Sequence, residues 1–229
     1  MLRSDQEGGP QMTDRDAILK RLRHFRSEAG IEPAHTPDTV HPPTTSGANL
    51  EGFIGHLEAA HAEIHRVSRA TWPRWVANAL EHEGWGRLAC GANPSIAEPL
   101  AQALPPSALW VMDQPVEQVK AALFHEMDVS LSQARAGIAD TGTLVLETGP
   151  EEPRTLSLVP PVHIVLFDPA TLVPDFSHLL AQRGYAQHMP TNLLLISGPS
   201  KTADIQQTLA YGAHGPKRLL VLILEDDHA

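Results

Sequence analysis

Gly137-Ile138-Ala139-Asp140-Thr141-Gly142-Thr143 and Gly198-Pro199-Ser200-Lys201-Thr202-Ala203-Asp204-Ile205 are two segments in which small, polar, loop-forming residues directly adjoin an apolar run. We call them the first motif (residues 137–143) and the second motif (residues 198–205). Glycine, serine and threonine leave room for a ligand and offer backbone and hydroxyl groups to it. The composition therefore suits a binding crevice better than a packed core.

The second motif follows an apolar run that predicts a buried strand over 192–197. Gly198 and Pro199 break this strand, and Ser200 or Thr202 then predicts the start of a helix over about 203–211. The first turn of a helix has unpaired N–H groups and the positive end of the helix dipole. The pattern therefore predicts a site for a carboxylate or phosphate, and thus for a small anionic metabolite.

Neither motif matches a known nucleotide-binding loop. A P-loop requires Gly-x-x-x-x-Gly-Lys-Ser/Thr, whereas Lys201-Thr202 follows Ser200 here. The chain also has no Gly-x-Gly-x-x-Gly run after a strand. We therefore expect no nucleotide or nicotinamide cofactor on this chain.

Composition narrows the classes of partner. A formal net charge of -10 disfavours binding to nucleic acid or anionic lipid, since both require a basic surface. No apolar run approaches the ~18 residues of a membrane span, and residues 1–7 lack the apolar core of a signal peptide. We expect a cytoplasmic protein.

The single cysteine, Cys90, cannot supply the several thiolates that hold an iron–sulfur cluster, so any cluster belongs to another chain.

The sequence predicts two parts, an N-terminal helix with a proline-rich connector (1–48) and an α/β domain (49–229). Apolar residues spaced three and four apart predict the helix over 14–28, whose other face is basic. That basic face is either solvated or a docking surface for an acidic partner subunit. The connector has four prolines between residues 33 and 43, which exclude regular structure. One hypothesis is that this arm packs on a second protomer and forms a homo-oligomer.

Two further helices are predicted over 49–68 and 72–84. His61 and His65 would lie one turn apart on the first of them, a spacing that occurs in zinc sites. The glutamate that follows the first histidine in zinc proteases is absent, because Ala62 stands there. We therefore expect no metal site.

From residue 86 onwards, short apolar strands alternate with helices. The predicted strands are 86–92, 108–112, 128–131, 143–147, 162–167, 192–196 and 218–224, and the predicted helices are 95–103, 116–124, 175–183 and 203–211. This alternation predicts an α/β fold with a mostly parallel sheet flanked by helices. Ligands of such folds bind outside the carboxyl ends of the strands, near a reversal of strand order.

Asp140 is the candidate acid or base, because partial burial between small residues would raise its pKa. The alternative is a turn aspartate that bonds its own backbone. His214, held between Gly212 and Gly215-Pro216, is the second catalytic candidate; a histidine satisfied by a backbone carbonyl is the alternative.

The remaining candidates are ligand-binding residues. Thr141, Gly142 and Thr143 would give hydroxyl and backbone donors to an anion. Arg154 is a candidate bidentate partner for a carboxylate. In the second motif, the candidates are Gly198, Ser200, Lys201, Thr202 and Asp204. Lys201 could instead be solvated, and dipole stabilisation alone could explain Asp204.

The two motifs, together with Arg154, Ser157-Leu158, Pro160, His163-Ile164 and Gly212-Ala-His-Gly-Pro216, resemble the LUD-domain family in its lactate utilisation protein C branch. The resemblance is dense over the C-terminal half. It implies the fold shared by phosphosugar isomerases and coenzyme A transferases. It also implies a subunit that works beside iron–sulfur partner subunits in oxidising L-lactate to pyruvate. Because this chain lacks cluster ligands and a nicotinamide fingerprint, we interpret it as a non-redox subunit.

Two other functions fit the same residues. One is a stand-alone enzyme that acts on a phosphosugar or a coenzyme A thioester, with Asp140 as base or nucleophile. The other is a ligand-sensing or scaffolding module without activity.

Overall fold

Parallel strands dominate the computed structural model, which describes residues 14–28, 47–114, 116–185, 190–203, 209–211 and 214–226. The helices of this part are α1 Asp14–Glu28, α2 Leu50–Ala59, α3 Trp72–Glu83, α4 Pro94–Ala103, α5 Val116–His125 and α6 Phe176–Arg183. The strands are β1 Glu63–Ser68, β2 Leu88–Gly91, β3 Leu109–Met112, β4 Val129–Gln133, β5 Ala136–Ile138, β6 Thr143–Glu147, β7 Val162–Phe167, β8 Leu172–Val173, β9 Leu193–Ile196, β10 Lys201–Ala203, β11 Leu209–Tyr211 and β12 Arg218–Glu225.

The chain divides into two compact units, residues 1–42 and 43–229. Helix α1 belongs to the first unit and confirms the helix predicted there. All of the strands named above belong to the second unit.

A six-stranded main sheet has the order β1-β12-β7-β4-β2-β3, and all neighbouring strands are parallel. The chain runs from β2 outward to β3 and then returns to β4 on the other side of β2. This reversal of direction makes the carboxyl ends of β2 and β4 the topological switch point of the sheet.

Apolar side chains cover both faces of the main sheet. Helices α3 and α4 cover one face, where Val76 and Leu100 are fully buried against Leu131 and Ile164. Helix α2 and strand β6 cover the other face. There the rings of Phe53 and Phe167 lie 4.8 Å apart between centroids. Each such buried side chain contributes about 1.5–3 kcal/mol, so α2 is held firmly to the sheet.

A second sheet has the order β8-β5-β6-β9. Strand β6 is antiparallel to both β5 and β9, whereas β5 and β8 are parallel. Leu179 of α6 is buried against this sheet beside Ile138 and Val145. The second sheet contains the end of the first motif and the strand that precedes the second motif, so its pairing decides where the motifs meet.

The α/β fold with a mostly parallel, helix-flanked sheet is confirmed. Most of the predicted elements from residue 86 onwards lie within a few residues of the observed ones. Asn49 caps α2, since its side chain accepts a hydrogen bond from the backbone N–H of Gly52 at 3.2 Å. No helix in the described part of the chain is long and apolar enough to cross a membrane.

The predicted helix over 49–68 is wrong beyond Ala59. His61 has a φ of 70°, which ends the helical path, and residues 63–68 form β1 instead. Strand β1 gains a full ladder with the apolar strand β12, and this long-range pairing outweighs the local helical pattern. His61 and His65 are therefore not one helical turn apart.

The predicted helix over 203–211 is also wrong at the residues of it that the structure describes, 203 and 209–211, whereas residues 204–208 lie outside the described part. Lys201–Ala203 and Leu209–Tyr211 form an antiparallel pair of strands, β10 and β11. The polar residues after Pro199 thus begin a strand, and the argument from a helix dipole at Ser200 or Thr202 no longer applies. Asp204 lies outside the described residues.

Helix α2 and its C-cap residue, Ala60, pack directly on the two motifs, and the contact point on each motif is a glycine. A Cβ on Gly142 would lie 2.4 Å from Cβ of His56, and Gly142 has a φ of 58°. A Cβ on Gly198 would lie 2.8 Å from the carbonyl oxygen of Ala60. Neither approach leaves room for a side chain, so the glycines set how closely α2 and the motifs can pack.

We expect Gly142→Ala to lower the free energy of unfolding by more than about 2 kcal/mol, because it adds a clash to a left-handed backbone. Gly55→Ala is the matched control on α2, since nothing lies within 4 Å of a Cβ there. That control should stabilise the helix by about 1 kcal/mol. Urea unfolding followed by circular dichroism measures both. Equal effects of the two substitutions would contradict the proposed role of Gly142 in packing.

Candidate functional site

The first and second motifs meet through the β6–β9 pair. In this antiparallel register Leu144 lies opposite Ile196, so Thr143 and Ser197 lie beside each other at the strand ends. Their Oγ atoms are 2.8 Å apart, and Oγ1 of Thr143 is also 2.7 Å from Oγ1 of Thr141. Three hydroxyls therefore form a hydrogen-bonded chain that joins residues distant in the sequence.

A cavity of about 220 Å³ lies beside this junction. It is lined by apolar residues and by a few polar groups: Ser157, Leu158, His163, Leu194, Leu195, Ile196, Ser197, Gly198, Pro199, Ser200, His214, Gly215, Pro216 and Leu219. The backbone N–H of Ser200 donates to the carbonyl of Pro216 at 2.8 Å, which ties the two loops of the cavity together. Apolar walls with a few polar groups are typical of small-molecule sites.

His163 is the most unusual residue of this cavity. It lies on β7, is 1% exposed, and its Nε2 has no hydrogen-bond partner among the described residues. Burial lowers its pKa to about 3, because the charged imidazolium would lose its hydration. At neutral pH His163 is therefore an uncharged imidazole, and its unpartnered nitrogen is available to a bound molecule.

The cavity unites three of the predicted site residues, Gly198, Ser200 and His214. Thr143 is buried and joins this group through Ser197. Gly142 lies against α2.

Other predicted site residues lie elsewhere. Asp140 is exposed, and its backbone N–H donates to the carbonyl of Pro174 at 3.0 Å. The partial burial that we expected for its carboxylate is therefore wrong. Thr141 and Arg154 are also exposed, and none of these three lines the cavity.

Within β10, Lys201 is exposed and Thr202 pairs with Ala210 of β11. Lys201 and Thr202 are the next two residues after Ser200, which lines the cavity, but they do not line it themselves. They remain predicted ligand-binding residues.

His163 and Ser157 are cavity residues that the sequence argument did not select as site candidates. Both belong to the segments that carry the family resemblance, which was the available signal. Their position within an apolar run fits a core residue as well as a site residue. Whether such a residue lines a cavity depends on the packing of the second sheet. That packing cannot be read from the local sequence.

We expect His163→Leu to reduce the pH dependence of stability. In the unfolded chain His163 binds a proton below pH 6.5, whereas in the folded state it does so only near pH 3. Stability is therefore lost as the pH falls through this window, and His163 accounts for about 2 kcal/mol of that loss between pH 7 and pH 5. Thermal unfolding at the two pH values measures this difference. An unchanged pH dependence in His163→Leu would show that this histidine is not buried and neutral.

Comparison with known proteins gives the same fold and a family. Residues 50–224 match the model of the LUD domain. An uncharacterized protein of Neisseria meningitidis is 36% identical over 95% of this chain and 96% of its own length. Lactate utilization protein C of Oceanobacillus iheyensis is 25% identical over 93% of this chain and 98% of its own length. A crystal structure of a DUF162 family protein from Deinococcus radiodurans, 23% identical, superposes with a TM-score of 0.58 over 77% of this chain and 96% of that chain. The chain belongs to the LUD-domain family.

Proposed function

We propose that this protein is a non-redox subunit of a cytoplasmic L-lactate utilisation system, and that it binds a small anionic metabolite in the cavity beside Ser197 and His214. The observation that carries the proposal is the meeting of the two motifs at Thr143 and Ser197, next to that cavity. The lactate utilisation proteins named among its relatives support the choice of pathway.

The groups that recognise the anion differ from those first predicted. Lys201–Ala203 form a strand and not the start of a helix, so we assign recognition of the anion to side chains: the hydroxyls of Ser197 and Ser200 and the imidazole of His214. Each of them can donate a hydrogen bond to a carboxylate. The apolar residues Leu194 and Leu219 supply the wall for a short alkyl group, such as the methyl group of lactate.

A weak affinity is expected for this site. Small ligands gain at most about 1.5 kcal/mol per non-hydrogen atom, and hydrogen bonds to neutral side chains give far less. A dissociation constant on the order of 1 mM corresponds to about 4 kcal/mol, a fair expectation for a ligand of lactate's size. An affinity of this order suits a metabolite that is present at high concentration.

An iron–sulfur cluster does not fit the residues of this chain. Clusters require several thiolates, and the chain has one cysteine, Cys90. Burial raises the pKa of the Cys90 thiol to about 12, so it stays protonated at neutral pH. We therefore assign the clusters, and the electron transfer, to iron–sulfur partner subunits. The part assigned to this subunit is to bind and present the metabolite.

We expect His214→Asn to weaken L-lactate binding about tenfold, since it removes an imidazole that lines the cavity. His125→Asn on α5, where the histidine is exposed, is the matched control and should leave binding unchanged. Two-dimensional 1H–15N NMR titrations with L-lactate, propionate and inorganic phosphate would locate the binding residues. Absence of any perturbation at residues 197–200 and 214–216 would overturn the assignment of the cavity.

The role in the pathway has a separate test. We expect the iron–sulfur subunits reconstituted with this chain to oxidise L-lactate, and to lose most of that activity without it. The His125→Asn protein should support full activity, and His214→Asn should raise the KM for L-lactate. Equal activity with and without this chain would contradict the role of a subunit. Turnover by the chain alone would support a stand-alone enzyme instead.

A further inference from the structure

The imidazole of His163 forms part of the wall of the cavity beside the second motif. Its neighbours on β7, Val162 and Ile164, belong to the core under α3 and α4, so alternation along the strand places His163 on the opposite face together with Val165. Nε2 is at the end of the ring that lies farther from the backbone. The cavity of about 220 Å³ leaves room for a molecule of several non-hydrogen atoms beside this ring.

The strands on either side of β7 do not supply a partner for Nε2. In the register of the main sheet His163 lies between Ser130 of β4 and Leu219 of β12. The hydroxyl of Ser130 donates to the carbonyl of Leu156 at 2.6 Å, so its hydrogen is not directed at the imidazole. Leu219 has no polar side-chain atom. Nε2 is accordingly buried with no hydrogen-bond partner among the described residues.

This combination of a cavity and an unpartnered buried atom is found at His163 alone in the part of the chain that the structure describes. Other buried side chains with an unpartnered atom include Ser132, Thr155 and Asn192, and none of these three lines the cavity. A buried polar group without a partner lowers stability, and a ligand that supplies the missing hydrogen bond removes that cost. We therefore expect a polar group of the ligand at Nε2.

The chemistry of a neutral imidazole indicates which polar group this is. Its low pKa, about 3, keeps the ring of His163 uncharged, with one nitrogen protonated and the other not. A hydroxyl group can donate to the unprotonated nitrogen or accept from the protonated one, so it satisfies Nε2 in either tautomer. A carboxylate only accepts, and an uncharged ring gives it no charge attraction. Ser197, Ser200 and His214 offer the carboxylate three donors elsewhere in the cavity.

We propose that His163 is the specificity-determining residue of the cavity, and that its Nε2 forms a hydrogen bond with the 2-hydroxyl group of a bound 2-hydroxy acid. Leu219, which pairs with His163 in the register, then lies beside the carbon that carries this hydroxyl, in agreement with the wall assigned to the methyl group. This inference rests on the proposed function, because it assigns a role to a further residue of the same cavity. It predicts that the cavity distinguishes L-lactate from propionate, which lacks only the hydroxyl.

Binding constants from NMR titrations of the full chain test this preference. We expect L-lactate to bind about tenfold more tightly than propionate, since propionate leaves Nε2 unpartnered. His163→Leu should weaken L-lactate binding about tenfold and change propionate binding by less than about twofold, which removes the preference. His163→Gln keeps a donor and an acceptor and should retain part of it. His125→Leu on α5, where the histidine is exposed, is the matched control and should retain all of it.

Long-range 1H–15N spectra of the imidazole nitrogens report on His163 directly, and the signal that is missing in His163→Gln gives the assignment. L-Lactate and propane-1,2-diol, which both carry a hydroxyl, should shift the Nε2 signal, whereas propionate should not. Equal affinities of the unmodified chain for L-lactate and propionate, or equal shifts of Nε2 by both, would overturn the role of His163.

The two proposals fail separately in this experiment. If L-lactate and propionate perturb residues 197–200 and L-lactate leaves Nε2 unshifted, the role of His163 is overturned and the anion site stands. If no anion perturbs residues 197–200 or 214–216 while propane-1,2-diol still shifts Nε2, the anion site is overturned and recognition of a hydroxyl by His163 stands.

Discussion

The fold depends on the close packing of helix α2 against Gly142 and Gly198. Gly142 lets atoms of α2 approach, and Gly198 lets Ala60, the C-cap residue of α2, approach, in both cases to a distance that a side chain would block. The helix is at the same time held to the main sheet by Phe53 and Leu57, which are fully buried. One short helix therefore holds both motifs against the core. The hydroxyl groups of Thr143 and Ser197 are hydrogen-bonded to each other where these motifs meet.

Burial shifts the pKa values of two titratable residues, His163 and Glu152, in opposite directions. It lowers the pKa of His163 to about 3 and raises the pKa of Glu152 to about 7. The physical cause is the same, because an apolar environment disfavours whichever form is charged. Both groups are therefore biased towards neutrality, and in each of them one buried polar atom has no hydrogen-bond partner among the described residues. Groups of this kind lower stability, and strongly shifted pKa values cluster at functional sites.

Local pattern was a good guide where apolar residues were continuous and flanked by glycine, proline or a capping residue. Strand β7 and helix α3 are examples, since each has a long apolar face and a clear end. It failed at residues 61–68, 203 and 209–211, where the residues suit a helix or a strand about equally. In both places a strand partner from elsewhere in the chain decided the outcome, β12 for β1 and β11 for β10.

The sequence by itself determined the α/β class, most strands and helices from residue 86 onwards, and the two motifs as the special segments of the chain. It did so because propensity, apolar periodicity and turn residues are local properties. Only the tertiary structure decided that Thr143 meets Ser197, that Asp140 is exposed, and that Nε2 of His163 is buried with no partner among the described residues. Those facts depend on strand order and on which face each loop covers. They are set by contacts between residues far apart in the chain, which no local pattern contains.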